Sequence, residues 1–77
     1  MKWVPLESKM LSAVSYSEAW QQLYLRFRSG DVYCFRGVAP ERYREFLAAG
    51  SKGRYFLEHL RNCYPYQRIR PAVLAAS

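Results

Sequence analysis

The sequence predicts a single α+β domain, in which a three-stranded antiparallel β-meander is followed by two α-helices packed on one face. Residues 23–28 alternate between apolar and polar side chains, which is the pattern of a half-buried strand. Residues 40–47 begin with a proline and carry an apolar stripe at helical spacing. The chain has 77 residues, which is enough for one core and too few for two.

The three strands are predicted at residues 10–16, 23–28 and 32–36. The first is rich in β-compatible residues but alternates imperfectly, and residues 17–19 connect it to the second. The second strand alternates most clearly, with apolar Leu23, Leu25 and Phe27 between polar Tyr24, Arg26 and Arg28.

The turn Ser29-Gly30-Asp31 leaves two registers open for the hairpin that follows. An even loop would place Val32 and Cys34 on the apolar face of the second strand. A three-residue loop, with Gly30 in the left-handed conformation of a bulge, would place Tyr33 and Phe35 there instead. We favour the three-residue loop because it gathers the large apolar side chains on one face. The other face then carries Tyr24, Arg26, Arg28 and Arg36.

Two helices are predicted after the strands. The first begins at Pro40, whose missing N–H would be unpaired in a first helical turn, and stops near Gly50. Ser51 is a candidate N-cap for the second helix, which ends at Pro65. The predicted organisation is an extended or loose segment over 1–9, the domain over 10–64 and a flexible tail over 65–77.

The chain is basic, with twelve Lys and Arg against six Asp and Glu and a formal charge of +6. Nine of the twelve cations are Arg, which pairs bidentately with phosphate and stacks on aromatic or base faces. The composition therefore favours an anionic partner, although GC-rich genomes produce the same bias. The sequence has no signal peptide and no apolar run of membrane-spanning length, so we expect a cytoplasmic protein with no membrane partner.

The sequence contains no pattern typical of a catalytic or metal site. His59 is the only histidine and lies beside the apolar stripe of the second helix, where a core-edge role is the ordinary interpretation. One histidine and two separated cysteines, Cys34 and Cys63, do not complete a tetrahedral metal site. We expect a non-catalytic protein with no cofactor, no small-molecule substrate and two reduced thiols.

Two groups of residues are candidates for nucleic-acid binding. The first is the polar face of the hairpin, where cations interleave with an aromatic ring: Tyr24, Arg26, Arg28 and Arg36. The second is the entrance of the second helix, where backbone N–H groups would receive a phosphate: Ser51, Lys52, Gly53 and Arg54. The alternatives are a merely solvated sheet face and a Gly53 that packs under an aromatic ring of the sheet.

The succession of these segments resembles a known family. The stretch from Leu11 to Tyr16 and the apolar positions of residues 23–27 are followed by Gly30 and Tyr33-Cys34-Phe35. After them come Val38-Ala39-Pro40, the run from Ala49 to Phe56, Arg61 and Tyr64. This succession is similar to the KTSC domain, a short module found at the C-terminus of some lysyl-tRNA synthetases and as a stand-alone bacterial protein. The similarity covers roughly residues 4–64.

The sequence departs from the family pattern at three positions. Phe35 replaces the second tyrosine of the central motif, Ser15 stands where the family often has glycine, and Ala39 separates Val38 from Pro40. None of these departures conflicts with the fold, but Phe35 weakens any argument that needs a pair of tyrosine hydroxyls.

The resemblance implies RNA, in particular a structured or tRNA-like RNA, as the ligand of this chain, because the module is attached to a tRNA-charging enzyme. A protein-interaction or homodimerisation module is the alternative. Trp3, Trp20 and Tyr66 lie outside the predicted core, and aromatic and Arg side chains dominate protein interfaces.

Overall fold

The structure is a computed structural model and describes residues 2–69. A five-stranded antiparallel sheet, in the order β1-β2-β3-β4-β5, carries the helices on one face. The strands are β1 Val4–Pro5, β2 Leu11–Ser17, β3 Gln22–Phe27, β4 Val32–Arg36 and β5 Tyr66–Ile69. The helices are α1 Pro40–Ala48 and α2 Lys52–Tyr55, and α2 continues into a π-helical segment, Phe56–Leu60.

The predicted α+β fold, with helices beside an antiparallel sheet, is confirmed, but the predicted number of three strands is wrong. The short strand β1 pairs with β2 and lies in the segment that was expected to be extended or loose. The four-residue strand β5 pairs with β4 and lies in the segment that was expected to be a tail. Residues 70–77 of that tail lie outside the described residues.

The hairpin between β3 and β4 has the favoured register. The backbone N–H of Phe27 donates to the carbonyl of Asp31 at 2.8 Å, which leaves a three-residue loop. Gly30 in this loop has a φ of 98°, a conformation that glycine adopts without a Cβ clash. Leu25 consequently lies opposite Tyr33, and Leu23 lies opposite Phe35. The large apolar side chains of both strands therefore share one face.

The core lies between this face and the helices. Its buried members come from the N-terminal segment, three strands, the loop before α1 and the helical layer: Leu6, Leu11, Val14, Leu23, Leu25, Phe35, Val38, Phe46, Phe56 and Leu60. Aromatic side chains close its margins, and the rings of Tyr16 and Tyr43 stack with centroids 4.5 Å apart. The burial of these rings supplies the apolar area that a chain of this size needs.

The helix starts are as predicted, and α1 ends at Ala48, near the predicted stop at Gly50, whereas the end of the second helix differs. Pro40 occupies the first turn of α1, and the Ser51 hydroxyl accepts a hydrogen bond from the backbone N–H of Arg54 at 3.2 Å. The second helix does not continue regularly to Pro65, because it widens into the π-helical segment and stops at Leu60. Asn62 follows with a φ of 65°, which no helix can continue.

A membrane-spanning helix would have to be far longer and more apolar than any helix found within residues 2–69.

Replacement of Leu25 by Ala should cost about 2–5 kcal/mol of unfolding free energy, because the side chain is fully buried in the core. A domain of this size has only about 3–5 kcal/mol to lose, so the variant should be partly unfolded at 25 °C. The matched control is Leu57→Ala, since Leu57 is one of the exposed hydrophobic residues. It should change stability by no more than about 0.5 kcal/mol. Guanidinium unfolding curves measure the unfolding free energy of both variants, and an equal loss in the two would contradict the assigned core.

Candidate nucleic-acid interface

The sheet face opposite the helices, called the open face here, carries the polar side chains of the strands. The strand pairing places on it Pro5, Ala13, Ser15, Ser17, Gln22, Tyr24, Arg26, Val32, Cys34, Arg36, Gln67 and Ile69. These positions include two arginines and no carboxylate. The predicted site residues Tyr24, Arg26 and Arg36 are therefore brought together on one surface.

Arg26 is held over the ring of Trp3, with its Cζ atom 4.6 Å from the ring centroid. A guanidinium in this position is attracted by the negative face of the indole, which orients the guanidinium plane. Within residues 2–69, no carboxylate lies within ion-pair distance of Arg26. Arg36 is exposed at the end of β4, opposite Gln22 on β3. Both cations therefore remain able to meet an anion from solution.

Tyr24 is half-buried between the two arginines, and its hydroxyl donates to Oε1 of Gln22 at 2.9 Å. Burial, followed by the neighbouring Cys34 thiol, raises the pKa of Tyr24 above its ordinary value. The phenol consequently remains protonated at neutral pH and presents a neutral aromatic ring.

A cleft of about 540 Å³ lies beside Tyr24 on the open face. Lys2 and Trp20 stand at its margin, and Ser15 and Gln22 are among the polar groups that line it. Trp20 belongs to the turn between β2 and β3, and 76% of its surface is exposed. The cleft thus combines flat aromatic rings, hydrogen-bonding groups and a cation.

Arg28, which was expected to share this face, has a different environment. Its Nε donates to the carbonyl of Ser8 at 2.9 Å, and its Nη2 donates to the carbonyl of Leu6 at 3.0 Å. The guanidinium therefore stabilises the loop between β1 and β2. It does not join Tyr24, Arg26 and Arg36.

The second predicted group lies in the helical layer, on the opposite side of the sheet from the open face. Here Lys52 Nζ donates to the carbonyl of Ala49 at 2.6 Å, and Arg54 Nε pairs with Glu58 at 3.2 Å. Gly53 is buried, and a Cβ placed on it would meet Cβ of Met10 at 3.5 Å. The glycine thus packs against Met10 and Ser8, neither under an aromatic ring nor towards solvent. The Ser51 hydroxyl already accepts the hydrogen bond from the backbone N–H of Arg54 that caps the helix.

Sequence reasoning missed the contributions of Lys2 and Trp3 to the open face. Lys2 and Trp3 are placed beside this face because β1, which follows them, pairs with β2. The two residues of β1 are too few to produce a recognisable alternation in the sequence. Trp20 was noted as an aromatic residue outside the core, but its position beside Tyr24 follows only from the fold.

The other side chains considered as reactive groups are His59, Cys34 and Cys63. His59 is partly exposed, and its ring lies 4.6 Å from that of Tyr55. Cys34 is buried and Cys63 is exposed, and both are free thiols. Within the described part of the chain, no three His, Cys, Asp or Glu side chains are grouped as metal ligands.

Comparison with known proteins agrees with this architecture. The KTSC domain family model matches residues 7–64. An uncharacterized protein of Stutzerimonas stutzeri is 37% identical over 70 residues, which cover 90% of this chain and 99% of that protein. A protein of Tsukamurella paurometabola is 43% identical over 51 residues, which cover 66% of this chain and 76% of that protein.

The fold is similar to that of a solved structure. The crystal structure of a KTSC domain protein from Yersinia pestis superimposes with a TM-score of 0.86 at 25% sequence identity. The superposition covers 88% of this chain and 96% of that one.

Replacement of Gly53 by Ala should stabilise the protein by about 0.5–1 kcal/mol, because alanine favours the helix and its Cβ finds only ordinary contacts. The matched control is Gly30→Ala, where the positive φ should make the same substitution cost about 1–2 kcal/mol. Denaturant unfolding measures both changes. Destabilisation by Gly53→Ala would contradict the packing described for α2.

Proposed function

The chain belongs to the KTSC domain family, and on that premise we propose that it is a non-catalytic module that binds RNA on the open face of its sheet. The observation that carries this proposal is that the strand positions of the open face bear cations without carboxylates, whereas the helical layer mixes charges of both signs. Arg26 and Arg36 stand on a face whose strand positions bear no carboxylate. In the helical layer, Glu45 and Glu58 each pair with a nearby arginine.

The available cations fit the phosphate groups of a nucleic acid. A guanidinium forms charge-assisted, bidentate hydrogen bonds with phosphate, and the release of counterions favours the association. Trp3 orients the Arg26 guanidinium before any ligand arrives, which lowers the ordering cost of binding.

The aromatic side chains favour unpaired bases over a continuous duplex. Tyr24 and Trp20 line the cleft beside the arginines, and unstacked bases stack on such rings. Gln22 lines the same cleft and offers a side-chain amide to base edges. The proposed ligand is therefore a single-stranded end or an open loop of a structured, tRNA-like RNA.

A variant in which both Arg26 and Arg36 are replaced by Ala should bind RNA more weakly and with less salt dependence. If each arginine contacts one phosphate of a single strand, the slope of log affinity against log salt should fall by about 1.4. Binding to pooled tRNA and to a single-stranded oligonucleotide, measured by fluorescence anisotropy at several salt concentrations, checks this result.

The matched control for that experiment is Arg44→Ala, since Arg44 is an exposed arginine of α1 in the helical layer. It should leave the slope close to that of the unmodified protein. The proposal fails if neither RNA shows salt-sensitive binding, or if the double variant and the control lose affinity equally.

Protein interaction or homodimerisation is a second candidate, and the exposure of Trp20 favours it. A tryptophan that is 76% exposed at a turn is typical of interface hot spots, which are enriched in Trp, Tyr and Arg.

In that case, light scattering should give a mass of twice the 9.1 kDa chain, and Trp20→Ala should return the mass to that of one chain. The association should respond little to salt, because an aromatic interface releases few counterions. A mass of one chain at all concentrations would contradict the homodimer.

A further inference from the structure

A separate cavity of about 340 Å³ lies on the helical side of the sheet, lined by residues of β3, β4, β5 and the π-helical segment and by the two residues after it. Five of its nine lining residues are aromatic: Phe27, Tyr33, Phe35, Phe56 and Tyr66. Its volume is at the lower end of the range for small-molecule sites, so it suits a ligand with one ring system.

The rings are arranged as a floor and a side wall. Tyr33, Phe35 and Tyr66 have neighbouring centroids 5.6–6.4 Å apart and mutual tilts of 25°, 44° and 36°. Phe27 meets Tyr33 at 71°, and Phe56 meets Phe35 at 74°. A flat ring could therefore stack on the accessible rings of Tyr33 and Tyr66, whereas Phe35 is buried and packs against both.

The charge at the rim is positive. Asp31 lines the cavity, but its Oδ1 atom lies 2.7 Å from Nη2 of Arg68, so this carboxylate is already compensated. Arg61 also lines the cavity, and within residues 2–69 no carboxylate lies within ion-pair distance of it. An anionic group beside the aromatic floor would thus gain a charge-assisted hydrogen bond.

The backbone holds Arg61 at this rim by an irregular helix end. Its N–H donates to the carbonyl of Phe56 at 2.8 Å, which closes the π-helical turn. The next residue, Asn62, lines the cavity in the left-handed conformation. π-helical turns and left-handed residues other than glycine are concentrated at functional sites, where the surrounding structure offsets their cost.

We propose that this cavity binds a small anionic aromatic molecule, that is, a flat ring system carrying one phosphate or carboxylate group. The ring stacks on Tyr33 and Tyr66, and the anionic group pairs with Arg61. A nucleoside monophosphate and an aromatic carboxylic acid share this chemistry. The inference is independent of the RNA proposal, because the cavity and the open face lie on opposite sides of the sheet.

The full chain should be titrated with adenosine monophosphate and with indole-3-acetate. Binding is measured by calorimetry and by the NMR chemical shifts of the backbone amides. Adenosine and indole-3-acetamide are the uncharged counterparts. We expect the amides of residues 29–31, 61–64 and 66 to shift, and at least one anionic probe to bind about tenfold or more tighter than its uncharged counterpart. Binding of adenosine monophosphate would identify the ligand as a nucleotide, and binding of indole-3-acetate would identify it as an aromatic carboxylic acid.

Variants of Arg61 and Tyr66 measure separately how the charge and the ring stacking contribute to binding. Arg61→Ala should weaken the bound anionic probe about tenfold and leave its uncharged counterpart unchanged. Tyr66→Ala should weaken both, whereas Tyr66→Phe should bind as the unmodified protein does. Arg61 and Tyr66 are exposed, so these variants should keep the fold, which circular dichroism checks. Arg44→Ala is the charge control and should change nothing.

The inference is overturned if millimolar concentrations of both anionic probes leave these amides unshifted, or if Arg61→Ala binds as tightly as the unmodified protein. It is also overturned if the shifts fall only on the open face around Tyr24 and Arg26. That last result would leave the RNA proposal standing.

Discussion

The three-residue turn between β3 and β4 decides which side chains share a face, and the other features of the molecule depend on it. Gly30 supplies the positive φ that such a turn needs, and Phe27 then lies opposite Asp31. A loop shorter by one residue would move every side chain of β4 to the other face of the sheet. Tyr33 and Phe35 would leave the core, and the helices would lose the two large aromatic side chains that β4 contributes to their packing surface.

The two faces of the sheet consequently have opposite properties. The helix-covered face carries the large apolar residues, whereas small side chains such as Ala13, Ser15 and Cys34 occupy the middle of the open face. Small side chains leave room for the cleft beside Tyr24, and larger polar side chains surround it. A flat, cationic surface is thus a consequence of the same register that builds the core. It requires no additional element of structure.

The fifth strand adds an edge to the sheet beside β4. The helices end at Leu60 because the π-helical turn and the left-handed Asn62 prevent another helical turn. The chain then returns as β5, and Arg68 pairs with Asp31 to connect this strand to the turn between β3 and β4. The aromatic cavity is lined by residues of β4 and β5 and by Phe56, Arg61 and Asn62 from the end of the helical layer. Its position therefore follows from the return of the chain as β5 after the helices end.

Local patterns in the sequence determined the central meander, the starts of both helices and the hairpin register, and the family resemblance rested on the same segments. Each depends on residues close together in the chain: the alternation of Leu23, Leu25 and Phe27, a glycine in a short turn and the cap at Ser51. The outer strands, the partners of Arg28 and the aromatic cavity were decided only by the tertiary structure. Strands of two and four residues have too little pattern of their own and form because a neighbour supplies hydrogen bonds. The carbonyl that Arg28 meets on Leu6 is 22 residues away, and Arg68 is 37 residues from Asp31, distances that no local pattern can span.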